Sequence, residues 1–169
     1  CGNKFPLESN VWKCHCGGLL NLEYEKKPID FKATAISKDR SLWKYIDSLP
    51  FEKDDCWRNI TMGEGGTPLI QLDRNLYAKA DYYMPTLSFK DRGAAVLIAM
   101  AKKLGVDEVV VDSSGNAGTA VAAYVARAGI KCHVFVPAST SDKKIKQIEA
   151  YGAEIHKIPG SREDTAKAA

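Results

Sequence analysis

Lys90 is the residue whose surroundings first suggest chemistry. It stands in Pro85–Gly93, Pro-Thr-Leu-Ser-Phe-Lys-Asp-Arg-Gly, where an extended segment gives way to a helical pattern. Ser88 followed by Asp91 has the spacing of a capping box, in which the serine oxygen accepts from the Asp91 N–H. Lys90 then falls in the first helical turn, a poor place for a cation because the helix dipole is positive there. A neutral amine is the species that condenses with a carbonyl, so a Schiff-base role fits this position. Taken alone, a surface lysine at a helix start is the simpler reading.

Two neighbouring stretches change that balance. Val109-Val110-Val111 reads as a buried strand feeding the tight polar loop Asp112-Ser113-Ser114-Gly115-Asn116-Ala117-Gly118 and a new helix. Backbone N–H groups at such a helix start, with Ser113, Ser114 and Thr119 nearby, make a cradle for a carboxylate. An ordinary strand-to-helix turn capped by Asn116 is the competing reading of the loop alone. Upstream, Gly63-Glu64-Gly65-Gly66-Thr67-Pro68-Leu69 is a flexible turn entering a short strand. A dinucleotide site is the rival for the loop, but only Gly115 and Gly118 are present where Gly-x-Gly-x-x-Gly is needed. The following strand ends Phe135-Val136-Pro137 without an acid for a ribose. The phosphate-binding pattern Gly-x-x-x-x-Gly-Lys-Ser/Thr is absent as well.

In their order, these three segments resemble the fold-type II pyridoxal-phosphate enzymes, and within them the threonine synthases. The resemblance implies that Lys90 carries pyridoxal 5′-phosphate as a Schiff base and that Asn116 hydrogen-bonds the cofactor's 3′ oxygen. It implies substrate contacts from Thr67, Ser113, Ser114, Gly115, Asn116, Ala117 and Thr119, with the loop holding the α-carboxylate of an amino-acid substrate. The implied reaction eliminates phosphate from O-phospho-L-homoserine and adds water to give L-threonine. The alternatives are a β-replacement or elimination enzyme (a cysteine or cysteate synthase, or a serine/threonine dehydratase) and a non-catalytic fragment. Two positions depart from the family pattern. Leu87 stands where glycine often precedes the serine, and Ala117 stands where a threonine often follows the asparagine. The resemblance covers the N-terminal half of such an enzyme, and no segment here supplies the glycine-rich loop for the cofactor phosphate. The isolated chain is therefore expected to bind the cofactor poorly and turn nothing over.

The positioning elements follow from periodicity. From residue 61 to 169 strand and helix alternate, so an α/β fold with a parallel sheet, the three-layer architecture of that enzyme class, is expected. Short strands are predicted at Pro68–Leu72 and Leu76–Ala80, and further strands at Glu108–Val111, Lys131–Val136 and Glu154–Ile158. Helices are predicted at Ser88–Leu104, Asn116–Ala128, from Ser141 to about Tyr151, and from Ser161 with Asp164. Gly93–Ala101 is apolar nearly all round, which predicts burial on more than one side. Residues 26–60 read as a connector with one helix at Leu42–Leu49, stopped by Pro50. Trp43, Tyr45 and Trp57 are expected to pack, and His133 and His156 to be structural.

Residues 1–25 read as a small ribbon-like element. Cys14-x-Cys16 is one residue tighter than the usual zinc knuckle, and Cys1 stands alone before it. Cys1, Cys14 and Cys16 are thus candidate metal ligands, but three ligands where four are usual favours free thiols over zinc. His15 is expected to point away from its flanking cysteines. A short strand is expected after Gly17-Gly18.

The 169 residues are 45% hydrophobic and 27% charged, as in a soluble globular protein, with a net charge of +3 and no basic stripe that would imply nucleic acid. The longest apolar run is far too short to span a bilayer. Five unevenly spaced cysteines argue against a secreted disulfide framework, making a reducing cytoplasm the expected compartment. A small-molecule substrate is the expected partner, and a homodimer is an assembly open to it.

Overall fold

A computed structural model describes residues 1–9, 11–25, 27–49 and 56–169. The expected stop at Pro50 and the segment boundary at Lys26 lie outside the described residues. Among the described residues there are five strands and five α-helices: β1 Leu69–Asp73, β2 Leu76–Lys79, β3 Glu108–Val111, β4 Lys131–Pro137 and β5 Glu154–Ile158, with α1 Phe31–Ile36, α2 Lys90–Lys103, α3 Asn116–Ala128, α4 Asp142–Glu149 and α5 Arg162–Ala168.

The parallel sheet runs in the order β3-β4-β5. Alternation along β4 sets its two faces: Cys132, Val134 and Val136 are buried, while Lys131, His133 and Phe135 look the other way. The buried row packs in one core with Ala120, Val121 and Tyr124 of α3 and Ile145 and Ile148 of α4. Every residue of α3 from Gly118 to Val125 is buried, because α2 lies against its other side. Sheet, α3 and α2 are therefore successive layers.

Three expectations are corrected here. The first two strands do not join the parallel sheet; β1 and β2 form a separate antiparallel hairpin. Their connection, Arg74-Asn75, is too short for the crossover that parallel pairing requires. Second, α2 buries a single stripe, Ala94, Ala95, Ile98 and Ala99, and leaves Leu97 56% exposed. Its apolar composition thus does not translate into burial on all sides. Third, the connector's helix is a 3₁₀ turn, Leu42–Ser48, and the short α1, started by the Asp30 carboxylate accepting from the Lys32 and Ala33 amides, was not foreseen.

Leu42, Trp43, Trp57 and Ile60 join the same core as the α/β layers. The two indoles stack with centroids 4.9 Å apart. At the other end, Ser161 and Asp164 form a reciprocal capping box that starts α5. No helix among the described residues is long and apolar enough to cross a membrane.

Candidate active site

The start of α2 is built differently from the spacing's promise. Phe89, already helical at φ −61° and ψ −14°, occupies the cap position. Ser88 Oγ consequently accepts from the Lys90 N–H at 3.0 Å, while the Asp91 N–H goes to the Ser88 carbonyl at 3.3 Å. The Asp91 carboxylate, fully buried, turns back and accepts from the Thr86 amide at 2.7 Å and from the Thr86 hydroxyl. This closes the turn Thr86–Asp91 and presents Lys90 outward, exposed, with its Nζ 4.9 Å from the Phe89 ring centroid. Leu87 sits at the apex with φ +62°, the only non-glycine residue with a positive φ among those described.

Arg92 ties this helix to the upstream loop. Its guanidinium donates two hydrogen bonds to the Asp81 carboxylate, at 2.9 and 3.0 Å, and the Thr67 hydroxyl donates to the same carboxylate at 2.9 Å. Arg92 holds the Asp81 carboxyl below the usual carboxylate range. Thr67 is buried, and Lys79 Nζ donates to its carbonyl. Its hydroxyl is therefore engaged with the scaffold. The glycines before it are required by close approach. A side chain on Gly65, at φ +115°, would meet the Leu42 nitrogen at 2.6 Å, and one on Gly66 would overlap the Arg40 carbonyl. Around them lies a cavity of about 470 Å³ whose lining includes Arg40, Lys44, Lys79 and Arg92 and no carboxylate.

At the start of α3 the cap is Gly115, with no side-chain cap, and Asn116 is the first helical residue and exposed. Ser113, Ser114, Gly115 and Ala117 are half-buried around it. Ser113 Oγ accepts from the Gly115 N–H at 3.4 Å, and the buried Thr119 donates through its hydroxyl to the Gly115 carbonyl at 3.4 Å. A side chain on Gly118 would overlap the Ser113 carbonyl oxygen, so the loop folds directly over the first turn. Thr119 shapes this loop from below; the loop's uncapped amides are what remains for an anion.

The two helix starts share one end of the molecule. Lys102 Nζ donates to the Ala128 carbonyl at 3.0 Å, joining the C-terminal ends of two helices that pack side by side. The helices therefore run in the same direction, and Lys90 and Asn116 begin them at the opposite end.

Sequence reasoning missed Glu64. This fully buried carboxylate accepts from Trp43 Nε1 at 2.6 Å, the Met62 amide at 2.9 Å and the Tyr124 hydroxyl at 2.9 Å, with the Thr61 hydroxyl at 3.1 Å. It links the 3₁₀ turn, the glycine loop and α3. Burial and the Glu64 charge push the Tyr124 phenol far above its ordinary range. The available signal was an acid enclosed by glycines in an otherwise mobile-looking loop.

The N-terminal thiols do converge: the Cys1, Cys14 and Cys16 sulfurs lie within 4.8 Å of one another, with Cys1 and Cys14 3.3 Å apart. Hydrogen bonding from Cys16 holds the Cys14 thiol below its usual value. His15 stands apart from that group, tilted against Phe5. The expected short strand after Gly18 is absent, since Leu19 and Leu22 are exposed without a pairing partner strand to bury them.

An amine at one helix start and an amide at its neighbour, on a parallel α/β scaffold, are the marks of an enzyme class that handles amino acids through a carbonyl cofactor. The chain belongs to the pyridoxal-phosphate dependent enzyme family, which matches residues 60–169. It is 34% identical over 176 residues to a threonine synthase of Methanocaldococcus jannaschii, spanning 97% of this chain and 43% of that protein. It is 41% identical over 135 residues to a threonine synthase of Bacillus sp. strain ULM1, spanning 75% of this chain and 38% of that protein. Among solved structures it is similar to O-ureido-L-serine synthase, with a TM-score of 0.56 and 28% identity, over 70% of this chain and 40% of that one. The chain thus spans less than half the length of these relatives.

Proposed function

We propose that this chain provides the lysine-bearing part of a threonine synthase, the enzyme that converts O-phospho-L-homoserine and water to L-threonine and phosphate. The observation that carries the reading is the common end shared by Lys90 and Asn116, together with the similarity to threonine synthases over nearly the whole chain. The residues fit pyridoxal phosphate: an exposed primary amine for its aldehyde, an exposed amide for its ring oxygen, and uncapped α3 amides for an anion. When bound, that cofactor supplies an electron sink for the substrate's Cα substituents.

The chain's own groups then divide the work. Lys90 Nζ would take and return protons at the substrate carbons. Asn116 would hold the cofactor's 3′ oxygen through its side-chain amide. Ser113, Ser114 and Gly115, with the amides of Asn116 and Ala117, hold the α-carboxylate, and Thr119 keeps that loop in place. Thr67 orients substrate through its position at the rim of the cation-lined cavity. Four basic side chains line it, of which only Arg92 pairs with a carboxylate among the described residues, and that excess of positive charge suits the phosphate end of the substrate. A reaction at the β-carbon is the second reading, favoured by the likeness to O-ureido-L-serine synthase.

The test, run on the complete enzyme of which this chain is proposed to be part, is borohydride trapping of pyridoxal phosphate followed by peptide mass mapping, then product analysis by mass spectrometry with O-phosphohomoserine and with O-phosphoserine. A reduced adduct on Lys90 and threonine from the first substrate are expected. Equal trapping by Lys90→Ala removes this lysine from the mechanism, and turnover of O-phosphoserine alone transfers the assignment to β-carbon chemistry.

A further inference from the structure

A second constellation lies on the face of the sheet turned away from α3. His133 on β4 pairs in register with Glu154 on β5, and His156 follows two residues along β5 on the same face. His133 Nδ1 is 3.0 Å from His156 Nε2 and 3.5 Å from Glu154 Oε2, and His156 Nε2 is 3.6 Å from Glu154 Oε1. Four ligands at zinc–nitrogen and zinc–oxygen bond lengths around a tetrahedral centre stand roughly 3.3 Å from one another. Two imidazole nitrogens and the two oxygens of one carboxylate, from two strands, already stand near that spacing.

The surroundings are those of a ligand set as well. Glu108 on β3 places Oε1 2.6 Å from His133 Nε2. That carboxylate accepts the Nε2–H and leaves the Nδ1 lone pair directed at His156 and Glu154, the carboxylate–histidine arrangement that orients ligands in metal centres. Phe135 stacks on the His156 ring with centroids 4.5 Å apart, which restrains its rotation. The His133 and His156 side chains are 21% and 31% exposed, so an ion can reach them from solvent.

We propose that His133, Glu154 and His156 form a binding site for a divalent transition metal, zinc or a chemically similar ion, with Glu108 positioning His133. Two imidazoles and one carboxylate select zinc, cobalt or nickel over magnesium or calcium, which prefer all-oxygen sets. Loading shifts the His156 proton from Nε2 to Nδ1, freeing Nε2 to coordinate, and solvent completes the shell. The site is independent of Lys90 and of the cysteine cluster.

Calorimetric titration of zinc chloride into the protein carrying Cys14→Ser and Cys16→Ser isolates this site. One zinc per chain is expected, together with a zinc-dependent rise in Tm. His133→Asn and His156→Asn are expected to abolish both while leaving the metal-free Tm unchanged. Glu108→Gln, which keeps all three ligands, is expected to weaken binding about 10- to 100-fold. In the same background with its histidines intact, zinc should protect His133 and His156 from diethyl pyrocarbonate, with His15 as the internal reference. This readout needs no histidine variant to fold. Zinc binding unchanged in both asparagine variants, or equal labelling of the two histidines with and without zinc, overturns the proposal.

Discussion

Lys102 Nζ donates to the carbonyl of Ala128 at 3.0 Å, and this bond fixes the level of the candidate active site. Lys102 lies twelve residues after Lys90, and Ala128 twelve after Asn116. At a rise of about 1.5 Å per residue, both helices reach back about 18 Å from the shared contact, so their first residues lie at the same end of the pair. Any change that slides the α3 start relative to α2 separates the amine from the amide.

Gly118→Ala makes that change. A methyl at Gly118 overlaps the Ser113 carbonyl oxygen, so the loop must lift away from the helix or the helix must shift. Overpacking of this kind costs about 1–3 kcal/mol. Urea denaturation should show the loss, and borohydride-trapped cofactor on Lys90 should fall in parallel. Unchanged trapping would detach the loop from the site.

Leu87→Gly should stabilise the protein. Leu87 is held at φ +62° and is 68% exposed, so its side chain recovers little by packing. The left-handed conformation costs a residue with a Cβ about 1–2 kcal/mol, partly offset because glycine loses more entropy on folding. A net gain of about 0.5–1 kcal/mol is expected, raising Tm by about 2–3 °C. A fall in Tm on calorimetry would mean that Leu87 packs in a way its exposure hides.

Much of this was legible in the residues themselves. The strand and helix order from β3 to α5 follows from apolar periodicity, and glycines at 105 and 129 mark the ends of α2 and α3 with positive φ. The Ser161–Asp164 capping box formed as its spacing implies, because both partners stand free of competing bonds. The Ser88–Asp91 pair has the same spacing and failed, because Thr86 offers Asp91 two donors inside a buried turn. Local spacing cannot weigh such a competitor. Glu64 was illegible for a related reason: Trp43 and Tyr124 lie 21 and 60 residues away from it along the chain. The histidine cluster was hidden likewise, since only the β4–β5 register brings His133 beside Glu154.

Glu64→Ala tests whether the buried carboxylate is the joint between the glycine loop and the core. Removing it takes away the carboxylate to which Trp43 Nε1–H, the Tyr124 hydroxyl and the Met62 amide donate. At about 1–3 kcal/mol for each unsatisfied donor, a loss of at least about 3 kcal/mol is expected. Tyr124→Phe deletes one donor and should cost about 1.5–3 kcal/mol, the range for a hydrogen bond to a charged group. Similar losses in the two variants would show that the tyrosine bond alone carries the joint.

The Asp81–Arg92 pair gives the site an acid-sensitive fastening. Arg92 depresses the folded-state pKa of Asp81 below its unfolded value. The contribution to stability is therefore fully present above the ordinary carboxylate value of about 3.9 and is lost as pH falls through the folded value. The pair is about a third exposed, so a bidentate contact of about 1 kcal/mol is the expected scale. Asp81→Asn should thus lower stability by about that amount at pH 7 and pH 5, and the two proteins should converge as pH falls through the folded value of Asp81. Because Asp81 also accepts from Thr67, the same substitution should loosen the cavity rim and raise the KM for a phosphorylated substrate more than it lowers kcat. A stability difference that persists undiminished at the acid end of that titration would show that Asp81 contributes through packing rather than through its charge.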